Sequence, residues 1–327
     1  MHMDELFRFD DDRDKFMQRI SRIDTSIIKH GDLELAVKGL KDCVLWSRSS
    51  AEPTCAVLTG IGGAGKTTLA KAFVNAFPRV QRNYGDRTVD IVPAYYAEIP
   101  ASATPKSTAS SLAEGIGDPK PTRGSTNDLT KRFVKLLETC ETEAIFLDEF
   151  HHLRLKGPTF GNNVCKWIKS LVDSAKTMIC LVGTPDCLAL LEGDEQLARR
   201  FAHRFTLGRL AAGDEKAGGA LDAYLIAYFE ECKIKIGILE VPDLENYVNV
   251  WRMYLATQGL PGFIRLLAKD GILVALCSGR ESLAMEDLAE AFETGITSSV
   301  ALTLPGVNPF RLSDARVKEA YMQSLNR

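Results

Sequence analysis

The chain has 327 residues, 45% hydrophobic and 25% charged, which is an ordinary balance for one large globular domain or two smaller ones. Its net charge of −3 does not indicate a nucleic-acid binder. It does not exclude one, because a local basic patch matters more for such binding than the net charge. The eight cysteines form no CxxC pair, so they indicate neither a zinc site nor a disulfide framework but buried free thiols.

Residues 1 to about 50 are predicted to form an N-terminal helical segment, with helical spacing over 15–28 and 33–46. We expect this segment to combine packing against the core with contacts to adenine or to a partner. The N-terminus is acidic and has no signal-peptide pattern. No apolar run approaches the roughly 18 residues of a membrane span. We therefore expect a cytoplasmic protein without a membrane partner.

A glycine-rich loop follows the first predicted strand, 55–59, and precedes a helical pattern. It fits G-x-x-x-x-G-K-[ST], whose backbone N–H groups wrap a phosphate at the start of a helix. Lys66 is expected to reach the β- and γ-phosphates, and Thr67 to hold Mg²⁺. The predicted nucleotide-binding residues are Gly60, Ile61, Gly62, Gly63, Ala64, Gly65, Lys66, Thr67 and Thr68.

A second strand is predicted over 88–99, followed by a long segment, 100–127, that is poor in large apolar residues. A short helix over 107–116 is one option within it. Loops of this length in a compact domain are usually functional or disordered. A further amphipathic helix is predicted around 129–137.

The next predicted strand, 144–149, is buried in pattern and ends in Asp148 and Glu149, about 80 residues after the glycine loop. In phosphate-loop enzymes Asp148 would hold Mg²⁺ through water, and Glu149 would polarise the attacking water. His151 and His152 follow. Adjacent side chains on a helix face different directions, which argues against a two-histidine metal site. Local packing is the simpler interpretation, and sensing of DNA or nucleotide is the alternative.

A fourth strand, 177–182, ends in Gly183-Thr184-Pro185, and Thr184 could contact the γ-phosphate or belong to a simple turn. A helix over 187–201 ends in Arg199 and Arg200. One interpretation is that these cations interact favourably with the dipole at the C-terminus of the helix. The other is that one of them is an arginine finger for the nucleotide of a neighbouring copy. The spacing does not distinguish Arg199, Arg200 and Arg204 in that role. A fifth strand is predicted over 203–207.

From about residue 211 the periodicity is helical throughout. Taken together, the chain resembles an AAA+ ATPase. This implies an α/β fold: a P-loop NTPase core with a five-stranded parallel sheet and flanking helices, plus a small all-helical lid. The predicted domains are 1–50, the core 51–210, the lid 211–300 and a C-terminal tail for partner contact, 301–327. In the lid, Gly262-Phe263-Ile264-Arg265 resembles the sensor 2 motif, so the resemblance implies that Arg265 contacts the γ-phosphate of ATP.

Within AAA+ proteins the chain is most similar to the TniB/TnsC-like ATPases of transposons. The likeness lies in 148–153 (DEFHHL), 181–185 (LVGTP) and 196–201 (QLARRF). The resemblance implies an ATP- and Mg²⁺-dependent regulator that oligomerises on double-stranded DNA as a ring or helical filament. It would connect a target-selection protein to the transposase, with hydrolysis driving disassembly. DNA would be gripped, without sequence preference, after the second strand, and the candidates are Lys106, Lys120 and Arg123.

The alternative is a signalling NTPase of the STAND class without DNA binding. The glycine loop resembles theirs, and Gly259-Leu260-Pro261-Gly262 is similar to their Gly-Leu-Pro motif. The absence of a sensor-repeat region favours the transposition family. A nucleotide-binding adaptor without useful hydrolysis is a third option.

Overall fold

The computed structural model describes residues 11–50, 52–100, 104–153 and 158–325. Their contacts group into two compact units. One is Asp32–Gly208, and the other joins the described residues of Met1–Gly31 to those of Arg209–Arg327. The N-terminal segment predicted over 1–50 is therefore shared between the units, and its first helix belongs with the C-terminal helices.

The first unit contains a five-stranded sheet in which all paired strands are parallel, in the order β4-β5-β6-β1-β7. The three central strands are buried along their whole length, which is why they read as continuous apolar runs. This confirms the predicted five-stranded parallel core. The strands are β1 (Ala56–Gly60), β2 (Val80–Asn83), β3 (Thr88–Ile91), β4 (Ala94–Glu98), β5 (Ala144–Asp148), β6 (Met178–Gly183) and β7 (His203–Leu207).

The single strand predicted over 88–99 is wrong, because this stretch forms two strands in different sheets. β3 pairs antiparallel with β2 in a separate hairpin, and β4 pairs parallel with β5. Pro93 lies between them and has no N–H to continue a ladder. Its carbonyl accepts instead from the backbone N–H of Glu143 at 2.8 Å, which aligns the start of β5 with β4.

Helices flank this sheet. The segment 100–127, expected to be mainly loop, contains a full helix because Thr104 and Ser107 form a reciprocal cap at its start. The helices of the unit are α2 (Gly31–Ser49), α3 (Lys66–Asn75), α4 (Pro105–Ile116), α5 (Thr126–Thr139), α6 (Pro158–Ser174), α7 (Leu188–Glu192) and α8 (Glu195–Arg200). A short 3-10 helix, Phe150–Leu153, follows β5.

The second unit is helical and has its own core. Trp251 stacks on Tyr321 with ring centroids 5.2 Å apart, and Arg252 bonds to Asp314, so part of the region predicted as a tail packs into this unit. Its helices are α1 (Asp11–Ser21), α9 (Ala220–Ile236), α10 (Tyr247–Thr257), α11 (Pro261–Cys277), α12 (Met285–Thr294) and α13 (Asp314–Ser324). Within the described residues, no helix has both the length and the apolar character needed to cross a membrane.

Candidate functional site

The glycine loop joins β1 to α3 in the geometry that the motif predicts. Gly63 and Gly65 have φ of 80° and 96°, in the left-handed region that favours glycine. A Cβ on Gly60 would lie 2.7 Å from the carbonyl oxygen of Leu207, so the loop begins where β1 and β7 leave no room for a side chain. At Gly62 and Gly65 an added Cβ would meet nothing within 4 Å. The loop therefore has open space above the start of α3, as an anion cradle requires.

Lys66 lies in the first turn of α3, and its Nζ donates to the carbonyl oxygen of Ile61 at 3.1 Å. The ammonium thus folds back over the loop. Burial lowers the pKa of Lys66, while the charges of Asp148 and Glu149 act in the opposite direction. A partly desolvated ammonium with a single backbone acceptor can exchange that weak contact for a phosphate.

Thr67 and Asp148 are brought together from the two motifs. Thr67 Oγ1 donates to Asp148 Oδ2 at 2.6 Å, and Asp148 is buried. A hydroxyl and a carboxylate oxygen are ligands that Mg²⁺ prefers. These residues therefore fit a Mg²⁺ ion, which would neutralise phosphate charge beside Lys66.

Tyr96 contacts this pair and Glu98 contacts Tyr96, and neither role was found from the sequence. The hydroxyl of Tyr96 lies 3.1 Å from Asp148 Oδ2 and 2.8 Å from Glu98 Oε1. Burial, the hydrogen bond to Glu98 and the charge of Asp148 raise the pKa of Tyr96, so its hydroxyl stays protonated at neutral pH. The register places Glu98 beside Asp148, and Lys71 lies 3.8 Å from the Glu98 carboxylate. The sequence did contain a signal for Tyr96 and Glu98: parallel strands that are neighbours end at the same edge of the sheet, so residues at the end of β4 are expected near the end of β5.

Glu149 has an unusual backbone, with φ of 60°. Its N–H donates to Asp148 Oδ1 at 2.7 Å, and its carbonyl accepts from the N–H of His152 at 2.9 Å. These bonds hold a conformation that costs a residue with a side chain about 1–2 kcal/mol. Its carboxylate is half-exposed at the carboxyl end of β5, next to Asp148.

The expectation that His151 and His152 face different ways is wrong. Their ring centroids are 4.7 Å apart, and both rings lie near the Glu149 carboxylate. That expectation assumed α-helical directions. The segment is a 3-10 turn that directly follows a left-handed residue, so both side chains turn back toward Glu149.

Thr184 follows β6, and β6 lies between β1 and β5 in the sheet, so Thr184 ends a strand flanked by both motifs. Arg200 donates to Glu52 at 2.8 Å and to Asp173 at 2.7 Å, so it is held within its own chain. Arg204 pairs with Glu192 at 2.8 Å. Arg199 is exposed, and the described residues provide no ion-pair partner for it.

Arg265 lies on α11 of the helical unit. Its guanidinium donates to the carbonyl oxygens of Ile23 and Ser26, both at 2.8 Å, and lies over the ring of Tyr228. The guanidinium is therefore fixed against the 3-10 helix Arg22–Thr25, which follows α1. Its contact with a γ-phosphate stays a prediction.

The three predicted DNA contacts are exposed, and within the described residues none of their side chains has a hydrogen-bond or ion-pair partner. Lys106 lies in the first turn of α4. Lys120 and Arg123 lie in the following loop, which Asp118 and Arg132 fasten by an ion pair of 3.0 Å. This ion pair connects the loop that carries Lys120 and Arg123 to α5.

Comparison with solved structures defines the class of protein. Three proteins of known structure share the fold: Aeropyrum pernix ORC2 with ADPNP and ADP (16% identity, 87% of this chain and 74% of that chain, TM-score 0.59), A. pernix ORC1 in complex with DNA (19%, 89% and 76%, 0.57) and Pyrobaculum aerophilum Cdc6p (16%, 94% and 83%, 0.55). The chain has the AAA+ ATPase fold.

The particular family comes from the sequence. The family described as "Bacterial TniB protein" matches residues 19–209, which is more than half of the chain. The chain belongs to the TniB family. A search of curated proteins found no match.

The contact between Tyr96 and Asp148 predicts how the Mg²⁺ requirement should change when the hydroxyl is removed. Tyr96→Phe removes a hydroxyl whose single proton is shared between Glu98 and Asp148 and helps to orient Asp148. Loss of such a supporting contact typically costs about tenfold or more in metal affinity. We expect the Mg²⁺ concentration for half-maximal ATP turnover to rise about tenfold, with a smaller change in kcat at saturating Mg²⁺.

The matched control is Tyr84→Phe, which removes the hydroxyl of an exposed hairpin tyrosine that bonds to Glu141. Mg²⁺ titrations of both variants give the comparison. An unchanged Mg²⁺ requirement in Tyr96→Phe contradicts the orienting role.

Proposed function

We propose that this chain binds ATP with Mg²⁺ and hydrolyses it to ADP and phosphate. The observation that carries the proposal is the 2.6 Å bond between Thr67 and Asp148, which unites the ends of the two motifs. Lys66 would hold the β- and γ-phosphates, and Thr67 and Asp148 would hold the metal. Glu149 would accept a proton from the attacking water.

Two residues would sense the γ-phosphate in this proposal. Thr184 would do so at the end of β6, and Arg265 would do so from the helical unit acting as a lid. Arg265 would exchange its carbonyl contacts with Ile23 and Ser26 for a charge-assisted bond to phosphate. Nucleotide binding would then release the carbonyl oxygens of Ile23 and Ser26 from Arg265 and change the packing of this unit.

We propose that a neighbouring copy completes the site with an arginine. Of the two predicted candidates, Arg200 is neutralised by Glu52 and Asp173, whereas Arg199 is exposed and has no ion-pair partner in the described part of the chain. Arg199 is therefore our choice for the arginine finger, and Arg200 would position the end of α8. Turnover would then depend on assembly.

We further propose that ATP-bound copies assemble on double-stranded DNA in the cytoplasm and connect a target-selection protein to the transposase. Membership of the TniB family supports this, as does the fold shared with an ORC1 protein whose structure contains DNA. Lys106 would meet a phosphate at the start of α4, where the helix dipole adds positive potential. Lys120 and Arg123 would extend the contact. Hydrolysis would dismantle the assembly.

Arg199→Ala should bind ATP normally yet lose turnover, on the order of 10³-fold, because an arginine finger stabilises transition-state charge. Mixing it with Glu149→Gln should restore some turnover. The Glu149→Gln copies bind ATP and assemble without hydrolysing it, and they supply Arg199 to their neighbours.

Phosphate release of each variant and of the mixture provides the measurement. Arg204→Ala is the matched control, since it removes a nearby arginine that is already paired with Glu192. A mixture no more active than its separate components contradicts action in trans.

Lys106→Glu should weaken binding to duplexes of different sequence alike, because phosphate contacts carry no sequence information. The slope of log K against log salt should become shallower by about 1. Fluorescence anisotropy with ATP over a salt series measures both quantities.

Lys176→Glu makes the same charge change at an exposed residue before β6, at the opposite edge of the sheet. It should bind DNA like the wild-type chain. Equal losses in the two variants would show a general charge effect and would refute the contact at Lys106.

A further inference from the structure

Three side chains with metal-ligating atoms converge after β5. His151 Nδ1 lies 3.2 Å from Glu149 Oε2, and His152 Nε2 lies 3.8 Å from the same oxygen. One ligand atom from each residue lies within 4.8 Å of the others. Tetrahedral zinc, with bonds of about 2.0–2.1 Å, places its donor atoms about 3.3 Å apart. Small rotations of the side chains would therefore bring the three donors to bonding distance.

The hydrogen bonding of His152 leaves the right nitrogen available. Its Nδ1 lies 3.2 Å from the carbonyl oxygen of Ile99, which only accepts hydrogen bonds. The proton of the neutral ring is therefore assigned to Nδ1, and the lone pair is on Nε2, toward Glu149. A backbone carbonyl behind a ligating histidine is the usual supporting contact of metal sites.

The Nδ1 atom of His151 is a second, independent indication of a bound cation. Its Nδ1 is buried and has no hydrogen-bond partner, because the nearby Glu149 oxygen does not meet it in hydrogen-bonding geometry. An unsatisfied buried polar atom costs about 1–3 kcal/mol. A cation among the three residues would satisfy this nitrogen together with Glu149.

The backbone of this group is held on both sides. Glu149 is fixed by its bonds to Asp148 and His152. A Cβ on Gly183 would lie 3.3 Å from the backbone nitrogen of His151, so the turn packs directly on the end of β6. Preorganised ligands lose less conformational entropy when they bind a metal.

We propose that Glu149, His151 and His152 form a binding site for one Zn²⁺ ion, distinct from the Thr67–Asp148 magnesium site. Two imidazoles and one carboxylate suit zinc, whereas Mg²⁺ prefers oxygen ligands. Three protein ligands leave a fourth position for water. If the proposed ATPase function holds, on which this consequence rests, zinc withdraws Glu149 from the attacking water and inhibits turnover reversibly.

The test uses the full chain without a polyhistidine tag and with Cys277→Ser, because Cys277 is the exposed cysteine among those described. Co²⁺ is added as a spectroscopic probe in the presence of excess Mg²⁺. We expect the visible absorption of four- or five-coordinate Co²⁺, saturating at one ion per chain, and its loss when Zn²⁺ displaces the probe.

His151→Ala and His152→Ala should each lose this absorption, and His203→Ala, which changes an exposed histidine of β7, should keep it. Thermal unfolding and nucleotide binding confirm that each variant is folded. If a variant fails to fold, His151→Gln or His152→Gln replaces it. Absence of the spectrum, or an equal spectrum in folded His151 and His152 variants, overturns the site.

Phosphate release with and without Zn²⁺ tests the consequence. We expect Zn²⁺ to suppress turnover at saturating Mg²⁺ and a chelator to restore it. A bound ion with turnover insensitive to Zn²⁺ overturns the inhibition. A bound ion in a chain that hydrolyses no ATP under any condition refutes the proposed function and leaves the zinc site standing.

Discussion

The hydrogen bond between Thr67 and Asp148 is the contact on which the site depends. Thr67 lies in the first turn of α3, directly after the loop that follows β1, and Asp148 ends β5. The strands β1 and β5 are not neighbours in the sheet, because β6 lies between them. The bond forms only if all three strands end at the same level. Buried parallel strands with an uninterrupted register provide that alignment. The register of the sheet therefore determines the distance between the glycine loop and the pair Asp148 and Glu149.

The acids around this bond are held in different ways. Asp148 is buried and receives hydrogen bonds from Thr67 and Tyr96, so its position is fixed before a metal binds. Glu149 has a fixed backbone but a half-exposed carboxylate beside two histidines. A fixed carboxylate next to one that can change partners is what the proposed ATPase would need if its hydrolysis is regulated.

The sequence alone was sufficient to predict the features that depend on local residue patterns. The strand–loop–helix unit and the strand ending in Asp148 and Glu149 come from apolar runs and fixed spacings. The fold class came from the resemblance to AAA+ ATPases that these motifs carry. The split at Pro93 was missed because the apolar pattern continues on both sides of it, with Ile91 and Val92 before the proline and Tyr95 and Tyr96 after it. The proline itself was the available signal.

Other features depend on side-chain direction and tertiary contacts, which spacing does not determine. The partners of Arg200 are 27 and 148 residues away in sequence, so its neutralisation could not be read from the helix end. The approach of His151 and His152 depends on the positive φ of Glu149, which nothing in the composition of that turn indicates. The interaction of Tyr96 with Asp148 required the exact register of two neighbouring strands.

In the proposed function, the nucleotide state of this site controls assembly on DNA. Electron microscopy of the chain with duplex DNA can compare ATP with ADP, and the wild-type chain with Glu149→Gln. We expect DNA-bound assemblies with ATP but not with ADP, and assemblies of Glu149→Gln that persist after those of the wild-type chain have dissolved. Equal assembly with ADP and ATP, or no assembly on DNA with ATP, would contradict this proposal.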